Sequence, residues 1–112
     1  MENFERFDTV LVPFPFTDRS TTKRRPALVL SKASFFEDTG QIICAMITTA
    51  KRSSWKSDVT LKDWPEAGLP VPSKVRMKVF TLDGRIVLKK LGKLNGADAR
   101  AVTQSSQAIF LR

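Results

Sequence analysis

No apolar run in this sequence outlasts a single β-strand, and that limits the fold to something built from short extended segments. Thr9 to Phe14 (TVLVPF), Arg25 to Ser31 (RPALVLS), Gln41 to Thr48 (QIICAMIT) and Ser73 to Leu82 (SKVRMKVFTL) are rich in β-branched and long apolar residues. Such residues fit a pleated, half-buried surface. Polar, Pro- or Gly-bearing stretches separate them, as turns separate strands. Pro13 argues that the first strand lies at an edge or ends in a bulge. The second is nearly continuous in apolar residues, which predicts cover on both faces. In the fourth, Val75, Met77 and Val79 face one way, and Lys74, Arg76, Lys78 and Phe80 the other. That alternation predicts a half-buried strand with a basic outer face.

Asp58 to Leu61 adds a short strand. Asp83-Gly84 is a hairpin-type signal leading to a last strand at Arg85 to Lys89. Pro15 to Arg24, Ala50 to Ser57 and Lys62 to Pro72 read as loops, and Ser34 to Gly40 is a connection with room for one turn of helix. Asn95 is a helix N-cap, with Asp98 placed to favour the helix dipole. The helix runs to about Leu111, with Ala101, Val102, Ser105, Ala108 and Ile109 on its apolar face. The sum is one domain over residues 1–112, mostly β with α: a small barrel or curled sheet of antiparallel strands with a C-terminal helix.

Nineteen Lys and Arg against eleven Asp and Glu leave a net charge of +8. Such an excess speaks about partners rather than fold. Nucleic acid, RNA or DNA, is the commonest partner; an acidic protein is another. A membrane surface finds no long amphipathic basic helix to hold it. The single cysteine, Cys44, and the lack of histidine exclude a disulfide within the chain and the usual zinc ligand sets. No metal and no cofactor is expected. MENFERFD has no apolar signal core, and no stretch is long enough to span a membrane, so the expected location is the cytoplasm.

The strings FDTVLVPFPFT, RRPALVLS, AMIT and VFTLD, in this order, resemble the MazF/PemK family of toxin endoribonucleases, from about Phe7 to Leu111. The resemblance implies a barrel like that of SH3 domains and of CcdB toxins, working as a homodimer. It implies cleavage of single-stranded RNA at short sequences without a metal, and a cognate antitoxin that blocks the RNA groove. The family's arginine before the proline of the second strand is here Arg25. The threonine closing the third strand is Thr48, with Thr49 beside it. Arg76 keeps the arginine of an Arg-x-Asp triplet found in some members, but Lys78 replaces the carboxylate. Other members carry an arginine where this chain has Phe80.

RNA brings its own nucleophile, the 2′-hydroxyl. The protein then needs to stabilise negative charge on the phosphorane and to manage two protons. Arg25 can grip phosphate oxygens with its planar fork, and Thr48 can donate its hydroxyl. An arginine is a poor base. The candidate catalytic set is Arg25, Thr48 and Arg76. The candidate RNA contacts are Thr17, Lys23, Arg24, Thr49, Lys51, Arg52, Lys74 and Lys78. Each residue also has a plainer reading. Arg25 can pair with Asp18 or Asp38, and Thr48 can be an ordinary strand threonine. Lys74, Arg76 and Lys78 can form a solvated face, and Lys51, Arg52 and Lys56 a mobile basic loop. Trp55 and Trp64 can stack bases or anchor loops. Phe14 and Phe16 pin the first loop, Cys44 fills the core and Asp83 serves its turn. A noncatalytic RNA- or protein-binding module is the alternative function. Gyrase inhibition is a further one, but it rests on a Trp-Gly-Ile helix end that Ile109-Phe110-Leu111-Arg112 does not reproduce.

Overall fold

Each apolar run becomes a strand of one antiparallel sheet. The computed structural model describes residues 3–14 and 23–111. The expectations for Thr17, Asp18, Phe16 and the Phe14 side chain lie outside the described residues. The strands are β1 (Asp8–Phe14), β2 (Lys23–Val29), β3 (Gln41–Thr49), β4 (Val59–Thr60), β5 (Ser73–Asp83) and β6 (Lys89–Lys93). They lie in the order β4-β5-β3-β2-β1-β6, and every pairing is antiparallel. With β4 and β6 as edges the sheet is a half-barrel rather than a closed one. Two helices complete it, α1 (Ala33–Thr39) and α2 (Gly96–Phe110).

Both faces of the sheet carry a core. On one, Leu28, Ala45, Ile47 and Val75 pack against Val102 of α2 and against Leu61, Ala67, Leu69 and Leu94. On the other, Val10, Val12, Ala27, Val29, Ile42 and Cys44 lie under Phe4 and Phe36. Those two rings meet edge to face at 5.1 Å. Strand β2 is therefore covered on both sides, with Ala27, Leu28 and Val29 all at 0% exposure. Gly68, at φ +79°, presses the 62–72 loop onto β6; a Cβ there would stand 2.1 Å from the Leu91 carbonyl oxygen. Asn95 caps α2 by accepting from the Asp98 N–H at 2.9 Å. The buried Asp98 carboxylate in turn accepts from the N–H groups of Lys62 and Asp63, both at 3.0 Å. The helix start and the loop are thus one unit.

Two expectations need correction. Asp83-Gly84 does not make a two-residue hairpin. Gly84–Ile86 is a 3₁₀ turn in which Asp83 accepts from the Arg85 N–H at 2.8 Å. Gly84 donates to the Gly40 carbonyl at 2.9 Å, so the turn is pinned to the end of α1. The chain then crosses to the opposite edge, where Leu88 donates to Leu11 at 2.8 Å. The last strand is therefore Lys89–Lys93 beside β1, not Arg85–Lys89 beside β5. Pro13 does not mark an edge strand, because β1 lies between β2 and β6. It sits beyond Leu11, where pairing with β6 has ended, so its missing N–H breaks no bond there.

Candidate functional site: a cationic row across three strands

The register of β2 on β3 sets Ala27 opposite Met46, Leu28 opposite Ala45 and Val29 opposite Cys44. The paired register ends at Ala27 and Met46; carried two residues further, it sets Arg25 level with Thr48. Thr48 pairs with Lys74 of β5. Residues directly opposite one another share a face, so Arg25, Thr48 and Lys74 form a row across β2, β3 and β5. Arg25 was expected at a loop-to-strand junction. It lies two residues inside β2, half-buried, while Lys23 and Arg24 before it are exposed. Among the described residues no ion pair joins Arg25 to Asp38 or to another carboxylate. Thr48 is 8% exposed, and its hydroxyl has no partner among the described residues.

The alternation expected for β5 is present in part: Met77 packs toward the first core and Phe80 toward the second, but Val79 is exposed and the pairing with β3 skips Met77 and Lys78 between Val79 and Arg76. The basic outer face is not. Lys74 is 2% exposed and Arg76 is 9% exposed; of the three cations only Lys78 is exposed. The loop after β3 folds over this face and uses its cations as anchors. The Lys74 ammonium donates to the Arg52 carbonyl at 2.6 Å, the Ser53 carbonyl at 3.3 Å and the Ser54 hydroxyl at 3.2 Å. The Arg76 guanidinium donates to both oxygens of Asp58, at 3.1 and 2.9 Å, and to the Ser53 carbonyl. Lys74 adds an ion pair to Asp58 at 3.5 Å. Burial pushes the Asp58 pKa up, but the Arg76 hydrogen bond, the Trp55 N–H and the charges of Arg76 and Lys74 outweigh it. Its carboxyl sits below the ordinary aspartate value. Arg76 is thus held inside the protein rather than presented to a phosphate.

Asp58 is the residue that sequence reasoning missed. Val59 pairs with Val75 and Thr60 with Lys74. One residue back, that register brings Asp58 opposite Arg76. The signal was an acidic residue just before a short strand, but its partner depends on a register that no local pattern reveals. Around this cluster Thr49, Lys51, Arg52 and Lys56 are exposed. Trp64 packs against the first core, so it anchors its loop. Trp55 is 43% exposed. Cys44 is buried in the second core, and burial pushes its thiol up to about 12. No group of three His, Cys, Asp or Glu among the described residues could hold a metal. No described helix is long and apolar enough to cross a membrane.

Comparison with curated proteins returned no match. Solved structures share the fold. MazF from Deinococcus radiodurans superposes with a TM-score of 0.76 at 23% identity, covering 97% of each chain. The MazE–MazF complex from the same organism gives 0.77 at 19% identity, covering 100% of each. An endoribonuclease in complex with its cognate antitoxin, from a mycobacterial species, gives 0.73 at 16% identity, covering 94% of this chain and 92% of that one. At the level of sequence, residues 5–110 match the family of PemK-like, MazF-like toxins. Since that match spans nearly all of the chain, the protein belongs to the PemK-like, MazF-like toxins of type II toxin–antitoxin systems.

Proposed function

We propose that this protein is a sequence-preferring, metal-independent endoribonuclease toxin that cuts single-stranded RNA by attack of the 2′-hydroxyl. The observation that carries the reading is the row Arg25–Thr48–Lys74, with Lys23, Arg24, Lys51 and Arg52 exposed beside it. The 2′-hydroxyl gives its proton to solvent and its oxygen bonds to the adjacent phosphorus, while the bond to the 5′-oxygen breaks and that oxygen takes a proton from solvent. The products are a 2′,3′-cyclic phosphate and a 5′-hydroxyl. Arg25 stabilises the extra negative charge on the phosphorane, and the Thr48 hydroxyl donates to the same oxygens. Lys74 and Arg76 act by holding the loop in place rather than by touching phosphate. Asp58, held deprotonated by its two cations, is a poor proton acceptor. The row's contribution is therefore electrostatic. The partner that restrains it is a cognate antitoxin, as in the complexes of the structural neighbours, and the working form is a homodimer.

A noncatalytic RNA-binding module is the second reading, favoured by Lys78 where some members have a carboxylate and by the engagement of Asp58. Incubation of the pure protein with a long mixed-sequence RNA in EDTA separates the two. Fragments ending in 2′,3′-cyclic phosphate are expected. Intact RNA, or a strict need for magnesium, overturns the endonuclease mechanism.

A further inference from the structure

Trp55 projects from the loop between β3 and β4 with 43% of its surface exposed. It belongs to neither core cluster, so packing does not account for it. Yet the residue is firmly held. The Arg76 guanidinium carbon lies 4.8 Å from the centre of its ring, and both Asp58 oxygens fix that guanidinium. The backbone N–H of Trp55 donates to the Asp58 carboxylate at 2.8 Å, and the backbone N–H of Asp58 donates to the Trp55 carbonyl at 3.0 Å. Lys74, opposite Thr48 in the sheet, grips the carbonyls of Arg52 and Ser53 just before it. The loop carrying this indole is therefore tied one strand away from Thr48. Lys51, Arg52 and Lys56 of the same loop are exposed.

We propose that Trp55 is a stacking shelf for an unpaired nucleobase of the RNA whose phosphate meets the Arg25–Thr48 row, and that Asp58 is the residue that positions it. The inference rests on the RNA-binding reading above and extends it to a base subsite. A preordered aromatic plane in a loop that also exposes cations is the arrangement that binds single strands, with charge tracking the backbone and the ring taking a base. An acidic peptide would use the cations and leave the indole idle. Every base has a π-face, so the shelf adds affinity and leaves the choice of cleavage sequence unchanged.

The test titrates the full chain with a labelled, mixed-sequence 2′-O-methyl oligoribonucleotide, which cannot be cut. Trp55→Ala is expected to raise Kd about 5- to 150-fold, with Trp55→Phe between it and the parent. RNA should quench indole emission in Trp64→Phe but not in Trp55→Phe. Asp58→Asn should also weaken binding, yet add little on top of Trp55→Ala, because both act through one shelf. Circular dichroism confirms that each variant is folded; where Trp55→Ala is not, Trp55→Phe and the quench decide. Parent-like affinity in folded Trp55→Ala, or a quench that persists in Trp55→Phe, overturns the shelf while leaving RNA binding intact. Fully additive losses overturn the positioning role of Asp58. A parent that binds no RNA overturns the RNA reading and the shelf with it.

Discussion

Arg25 and Arg24 are neighbours in sequence but not in environment. Successive strand residues point to opposite faces. Arg25 is half-buried on the face of Thr48, whereas Arg24 is exposed. If Arg25 stabilises the phosphorane, Arg25→Ala should slow single-turnover cleavage by about 10² to 10³ with a smaller loss of RNA affinity, the usual effect of removing one such donor. Arg25→Lys should restore little, because an ammonium does not reproduce the planar fork. Arg24→Ala should weaken binding and keep turnover. Neither residue belongs to a core cluster, so both variants should fold, which circular dichroism checks. Cleavage within a few-fold of the parent in folded Arg25→Ala would remove Arg25 from the chemistry.

At the scale of elements, the loop from Ala50 to Ser57 hangs on a carboxylate just before the strand that follows it. Asp58 has a pKa below the ordinary value of 3.8 because Arg76, the Trp55 N–H and Lys74 outweigh its burial. A group whose pKa is lowered by folding contributes stability above its unfolded pKa and loses it as pH falls through the folded one. The loop should therefore stay closed at neutral pH and loosen only in acid, below the ordinary aspartate value. Amide hydrogen exchange of residues 53–57 should show this as a rise in exchange, corrected for intrinsic rates, as pH falls below that value. Asp58→Asn should flatten the profile; an unchanged profile would mean that the loop is held by something else. Much of this architecture was readable in advance. The runs at β1, β2 and β3 are apolar enough to name themselves, and Asn95 announces α2. The grip of Lys74 and Arg76 on Asp58 was not readable, because Lys74, Arg76 and Lys78 alternate like a solvated face, and only the β4–β5 register shows which two are covered. The Asp-Gly signal misled for a related reason: it reports a local turn, while Gly40 and Leu11 decide where the chain goes next. Arg25 and Thr48 stand 23 positions apart in the sequence; nothing local pairs them, and the family resemblance alone singled them out.

Across the whole molecule the net charge of +8 is unevenly available. Lys74 and Arg76 are spent on Asp58, Lys93 on Glu5 and Asp8, and Arg85 on Asp83. Lys23 and Arg24 open β2 at the end of the sheet where β3 closes, and Lys51 and Arg52 follow β3 directly. Four exposed cations therefore cluster beside the Arg25–Thr48 row. Lys89 is as exposed but lies on β6, at the far edge of the sheet. Binding of a single strand releases counterions, and each neutralised phosphate contributes about −0.7 to the slope of log K against log salt. With a noncleavable RNA, replacing Lys51 and Arg52 together by Ala should flatten that slope by about 1.4. Lys89→Ala should leave it as it was. The comparison separates a focused site from diffuse attraction, since both variants lower the net charge. An equal change per charge removed at Lys89 and at Lys51–Arg52 would mean that RNA senses the whole cationic surface, and the loop would lose its claim to be the entrance of the site.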